Sequence, residues 1–245
     1  MPNLEIFDSM MPAWENAQKP MDDEQRWKNT FPDSNQTLLM HVYSVMLTMR
    51  DLQLFFRQFN PGWDEQLLMD SAMLHDHGEP LSGGDEDIES RTEGKEVREW
   101  VGFAALVNDK PEWVQQPYLR AFALQYAIKD CDDDLPEQAL AFVREHRQHN
   151  MAAAWFFDFV ECMDYFRSAR VGFRENLRHI KGEEKNHEGM FEHVFGNTCG
   201  RVERACEHLP LLREFWTSQL QSDFAEVALE DAKGSVPPAF IRREA

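Results

Sequence analysis

Three places in this chain set metal-ligating side chains among apolar residues. His41 lies in MHVYSV, the couple His75-Asp76 in AMLHDHGE, and Asp164 in FDFVECMDYFRSA. Each alone has an ordinary reading. A lone histidine on an apolar helical face is usually a hydrogen-bonded core residue, and a His-Asp pair at a helix end is plain surface if that end meets water. Asp164 could point to a polar edge, as Asp158 and Glu161 are expected to do. Taken in order, the residues say more: one imidazole, then an imidazole–carboxylate couple, then a distant carboxylate, each on a predicted helix. Burying Asp76 at the end of an apolar helix is costly unless a cation pairs with it. Helices packed side by side can bring such groups to one point inside a bundle. A mixed nitrogen and oxygen donor set suits Mn, Fe, Co, Ni or Zn better than Ca. An ion so held acidifies water and polarises a phosphoryl oxygen.

The elements that must position these groups are helical. Thr37 to Phe59 reads as one long helix, with Leu38, His41, Val45, Thr48 and Leu52 on a single stripe and Asn60-Pro61-Gly62 as its stop. A second helix is predicted from about Asp64 to His77. Leu68, Ala72 and His75 share its face, and Gly78 stands where a C-terminal glycine would end it. Pro80 to Gly94 reads as a polar loop. Helices resume near Lys95, then over Pro111–Lys129, Pro136–Gln148 and Met151–Leu177. After a polar break at 181–187 a helix pair is expected near Phe191–Glu207 and Leu211–Asp231. No alternating run of β-branched residues competes, so the expected fold class is all-α. Residues 1–25 read as an irregular arm, 26–180 as the core, 181–231 as helices packed on it, and 232–245 as a flexible tail.

Composition narrows the function classes. The formal charge is -19, from 44 acidic against 25 basic residues. Such a surface repels nucleic acid and anionic membranes, while a small anionic substrate stays open because a metal and a few local cations can reverse the potential in one pocket. No apolar run approaches the ~20 residues of a bilayer span, and MPNLEIFDSM lacks the basic and apolar parts of a signal peptide. The four cysteines, Cys131, Cys162, Cys199 and Cys206, form no CxxC pair and read as free thiols of a cytoplasmic protein. NHEGMFEH is not HExxH, and neither a P-loop nor a GxSxG elbow occurs.

Four segments carry a family likeness. Arg26-Trp27-Lys28-Asn29-Thr30 precedes the first histidine helix, LLMHVYSV. MLHDHGEPLSGGD places Glu79 three residues after Asp76 and closes a short loop on Gly84-Asp85. VECMDYFRSA carries the last aspartate. Over roughly Arg26 to Phe173 the chain resembles the HD-domain metal-dependent phosphohydrolases, the bacterial 5′-deoxynucleotidases above all. The likeness implies an HD-domain helical bundle, here with additional C-terminal helices. It implies one divalent ion (Mn, Co, Fe, Ni, Zn or Mg) held by His41, His75, Asp76 and Asp164. Glu79 would orient or deprotonate the attacking water, Asp85 would be a second catalytic carboxylate, and Arg26 would grip the phosphate. The loop before Asp85 is one residue longer than the family's usual spacing. The gap between Asp76 and Asp164 is also longer than in compact members. Asp130, Asp132, Asp133 and Asp134 are alternatives to Asp164, which is preferred because KDCDDDLPEQ reads as a helix end and the cap of the next helix.

Lys28, Arg91 and Lys95 are further phosphate-binding candidates without motif support, and a solvated charge is the expected state of each. His77 is expected to face solvent. The implied partner is a small-molecule nucleotide, with no nucleic acid and no membrane, and a homodimer is the expected assembly. Two other readings stand beside the hydrolase. One is a catalytically silent nucleotide sensor or scaffold. The other is a dinuclear iron oxygenase, which needs histidines between Asp76 and the final aspartate; none occurs from Gly78 to Glu145, and His146 and His149 follow.

Overall fold

Thr37 starts the first long helix with its own side chain: the hydroxyl oxygen accepts from Met40 N at 3.3 Å. That helix, α1, runs Leu38–Phe56 and buries Leu38, His41, Val42, Val45, Met49, Leu52 and Phe56 at helical spacing. A 3₁₀ turn, Arg57–Phe59, leads to Asn60, whose left-handed φ of 50° ends the element where the sequence expected a stop. In the computed structural model these and all other described residues fall within 20–24, 36–82, 93–176 (backbone only for 167–176), 196–218 and 220.

Asp64 caps the next helix, α2, Glu65–Leu74, by accepting from Gln66 N and Leu67 N. A tight turn at His75–Gly78 leads to a short helix, α3, Glu79–Ser82, inside the stretch expected to be loop. Helix α4, Lys95–Val107, is followed by α5, Glu112–Ala123, a 3₁₀ turn at Leu124–Tyr126, and α6, Glu137–His149. Pro136 precedes α6 with no side-chain cap bond, so the aspartates of KDCDDD do not serve as its N-cap. Helix α7 spans Met151–Asn176, and α8 spans Thr198–His208. A 3₁₀ turn, Pro210–Glu214, stands where the second helix of the C-terminal pair was expected to begin. Every regular element among the described residues is helical, and the fold is all-α.

The chain forms two compact units. The first takes in the described residues up to Phe157, and the second those from Asp158 on, so α7 begins in one and continues in the other. In the first unit α2 packs against both α1 and α5, and α3 lies on α4. Phe156 stacks on Trp63 at 4.1 Å and meets Phe56 edge-on, while Phe103 stacks on Phe122 at 4.1 Å. In the second unit Arg201 of α8 donates to Asp158 Oδ1 (2.5 Å) and Glu161 Oε2 (2.7 Å). Asp158 is therefore a buried ion-pair partner, not the polar-edge residue expected from the sequence. No helix among the described residues is long and apolar enough to cross a membrane.

His146 shows how the first unit uses a histidine for structure. It is fully buried; its Nε2–H donates to Arg120 O at 2.7 Å, and its Nδ1 lies 3.3 Å from Asn150 Nδ2. Burial pushes its pKa below the usual 6.5. A histidine depressed in the folded state stabilises above its unfolded pKa, and that stability is lost as pH falls below about 6.5. Denaturant melts at pH 7 and pH 5 should show a larger loss in wild type than in His146→Gln. Equal losses would remove this residue from the acid sensitivity of the fold.

Candidate metal centre

His41 stands on the buried face of α1, and His75 is the residue that ends α2. Contact between these two helices turns the rings toward each other: their centroids are 5.2 Å apart and nearly edge-on. Asp76 follows in the turn. His41 Nε2 lies 3.2 Å from His75 Nε2, and Asp76 Oδ2 lies 3.3 Å from the first and 3.2 Å from the second. The three donor atoms thus make an almost equilateral triangle, and all three residues are buried.

The ring orientation of His75 is fixed from behind. Its Nδ1 lies 3.0 Å from Ala72 O. A carbonyl oxygen only accepts, so Nδ1 carries the hydrogen and the Nε2 lone pair of the neutral ring faces into the triangle. Gln125 Nε2 donates to His75 O at 2.8 Å and holds the backbone of the same residue. An imidazole lone pair, a second imidazole nitrogen and a carboxylate oxygen at this distance need positive charge between them, either a proton on one ring or a cation. The triangle fits a metal. Edges of 3.2 to 3.3 Å would let His41 Nε2, His75 Nε2 and Asp76 Oδ2 all reach one divalent ion at ordinary ligand distances of about 2.1 Å, where it would supply Lewis acidity.

Behind Asp76 the turn continues directly into Glu79, whose backbone N–H donates to Asp76 O at 3.1 Å. Glu79 is buried, and its Oε1 accepts from Lys95 Nζ at 3.0 Å; the same ammonium lies 3.1 Å from Glu99 Oε1. Lys95 is mostly buried, so the expectation of a solvated charge is wrong for it. Burial works against its charged form, but Glu79 and then Glu99 more than reverse that, and the net shift is upward. His77 is also buried, not solvent-facing, and burial pushes its pKa down to about 4. It stays neutral beside the couple.

The approach of α3 to α4 depends on Gly78. A Cβ there would lie 2.2 Å from Glu99 O, and one on Gly102 would lie 2.9 Å from Leu81 Cβ and 3.0 Å from Gly78 O. Gly78 is thus required for backbone contact. It is not among the glycines with positive φ, and α2 ends at Leu74 with His75 as its cap, so Gly78 is not the terminator that the sequence suggested.

No family model, no curated protein and no solved structure matches this chain. The site is therefore read from its own geometry.

Of the residues singled out in the sequence, His41, His75 and Asp76 come together, and Glu79 adjoins them through the turn. Asp164 is fully buried and belongs to the second unit. Arg26, Lys28, Asp85 and Arg91 lie outside the described residues. Among the alternative aspartates, Asp132 pairs with Arg147 at 2.6 Å, and Asp130, Asp133 and Asp134 are exposed. His146 has both ring nitrogens engaged by Arg120 and Asn150, which removes it as the extra ligand of a dinuclear iron site. Sequence reasoning missed Glu99, Gln125 and the buried state of Lys95. The i,i+4 spacing of Lys95 and Glu99 was the available signal.

Proposed function

We propose that this chain is a metal-dependent phosphohydrolase of HD type that removes phosphate from a (deoxy)nucleotide. The observation that carries the proposal is the buried triangle of His41 Nε2, His75 Nε2 and Asp76 Oδ2, with edges of 3.2 to 3.3 Å. The motif likeness around HDHGE supplies the reaction class. When bound, a divalent ion supplies Lewis acidity, which acidifies water and draws electrons from a phosphoryl oxygen.

The protein's own groups do the rest. His75, locked by Ala72 O, presents one lone pair without reorganisation. Glu79 takes a proton from the attacking water as its oxygen bonds to phosphorus. The phosphorus–oxygen bond to the sugar breaks at the same time, and the leaving sugar oxygen takes a proton, with Asp85 its candidate donor. Arg26 binds the phosphoryl oxygens through its guanidinium fork.

Purified protein supplied with Mn²⁺ or Co²⁺ should release phosphate from at least one nucleotide. Glu79→Gln should lower that rate by about 100-fold or more while still binding the ion. A chain that takes up metal and melts higher with nucleotide, yet releases no phosphate from any, would replace the hydrolase with the sensor reading.

A further inference from the structure

His75 and Asp76 are neighbours in the chain, so one peptide unit joins two corners of the triangle. That unit is planar and nearly rigid. Its carbonyl, His75 O, accepts from Gln125 Nε2 at 2.8 Å, across 50 residues of sequence. The next carbonyl, Asp76 O, accepts from Glu79 N within the turn itself. The peptide planes on both sides of Asp76 are therefore tied, one locally and one from a different element. Gln125 belongs to the 3₁₀ turn Leu124–Tyr126 that follows α5. Leu124 and Tyr126 on either side of it are fully buried, and Tyr126 Oη donates to Glu96 O at 3.4 Å. The amide donor thus stands on a packed turn. A second tie joins α2 to α5 one turn earlier: Ser71 Oγ lies 2.8 Å from Ala121 O and 2.7 Å from Leu67 O. Ser71 precedes His75 as Ala121 precedes Gln125, by one helical turn, so the two ties follow one line between the elements. Ser71 acts on the body of α2, and Gln125 acts on the peptide that carries the ligands.

We propose that Gln125 is a positioning residue for the metal centre: by holding the peptide plane between His75 and Asp76, it aims the Asp76 carboxylate at the two imidazoles. The Ala72 carbonyl sets the ring of His75 from within α2, and Gln125 sets the step from His75 to Asp76 from outside it. The inference rests on the metal reading of His41, His75 and Asp76.

A tie that only braces the fold moves stability and leaves metal affinity alone. The Kd of the full chain for Mn²⁺, measured beside Tm in chelator, separates the two roles. Gln125→Met keeps the length of the side chain without its N–H, and Gln125→Ala removes both. Each should weaken Mn²⁺ binding by about 10-fold or more, as loss of a partner behind a metal ligand does. Ser71→Ala, which cuts the neighbouring tie, should lower Tm and leave the Mn²⁺ Kd at the wild-type value. Wild-type affinity in Gln125→Met overturns the inference, also where Gln125→Ala alone binds weakly, because packing then accounts for the effect. So does a Gln125→Met chain that is unfolded in chelator, or a Ser71→Ala chain that loses as much affinity as Gln125→Met; either makes Gln125 a brace of the α2–α5 contact. Wild type that takes up no Mn²⁺ defeats the metal reading itself, and this inference with it. Unchanged affinity in Gln125→Met, beside a wild type that binds Mn²⁺, defeats this inference alone.

Discussion

Asp76→Ala should fold and should lose its response to divalent metal. The substitution removes the only negative donor of the triangle and leaves two neutral imidazole nitrogens 3.2 Å apart. Changes that merely reorient a ligand lower metal affinity by about 10- to 100-fold, so loss of a ligand and its charge should exceed that. The stability effects should run in opposite directions with and without metal. In chelator the variant sheds a buried carboxylate, so its melting point should not fall far below wild type. With free Mn²⁺ at about 100 times its Kd, wild type should gain roughly 2.7 kcal/mol and the variant almost nothing. Phosphate release should disappear with the metal response. An Asp76→Ala chain that keeps a wild-type Mn²⁺ shift would remove Asp76 from the site.

Gly78→Ala should be the most damaging single methyl group in the described part of the first unit. Its Cβ would stand 2.2 Å from Glu99 O and 2.8 Å from Glu99 C, and both atoms are backbone. No side chain can rotate away, so α3 and α4 must separate. Overpacking of this kind costs about 3 kcal/mol or more. For a chain of this size that corresponds to a fall in Tm of roughly 6–12 °C. The separation also carries Glu79 away from Lys95, so phosphate release should fall together with stability. Gly102→Ala meets Leu81 Cβ at 2.9 Å and Gly78 O at 3.0 Å, and should cost less. Thermal melts of the two variants check the order. A Gly78→Ala protein as stable as wild type would mean that the two helices do not approach this closely.

Much of the fold was legible because helical periodicity is a local signal. The stripe through Leu38, His41, Val45 and Leu52, the cap at Asp64 and the stop at Asn60 each follow from neighbours within one or two turns. The triangle was legible in part for the same reason: His41 and His75 lie on the apolar faces of their helices, and those faces had to meet. Gly78 was misread because local termination and tertiary contact both ask for glycine, and only the 2.2 Å approach to α4 separates them. Lys95 was read as a solvated charge, and Glu99 was not singled out. Their burial comes from α3 lying across them, which depends on that same glycine contact and not on their own spacing. His77 and Asp158 failed alike. Each is a polar side chain expected at the surface that lies inside the packed structure.

The function proposed for this protein requires one ion in one place. Crystals of the protein grown or soaked with Mn²⁺, and measured near the manganese absorption edge, give the direct answer. The prediction is an anomalous peak about 2.0–2.3 Å from His41 Nε2, His75 Nε2 and Asp76 Oδ2 together. Manganese found only at other carboxylates, with these three atoms closed on one another around a proton, would contradict it.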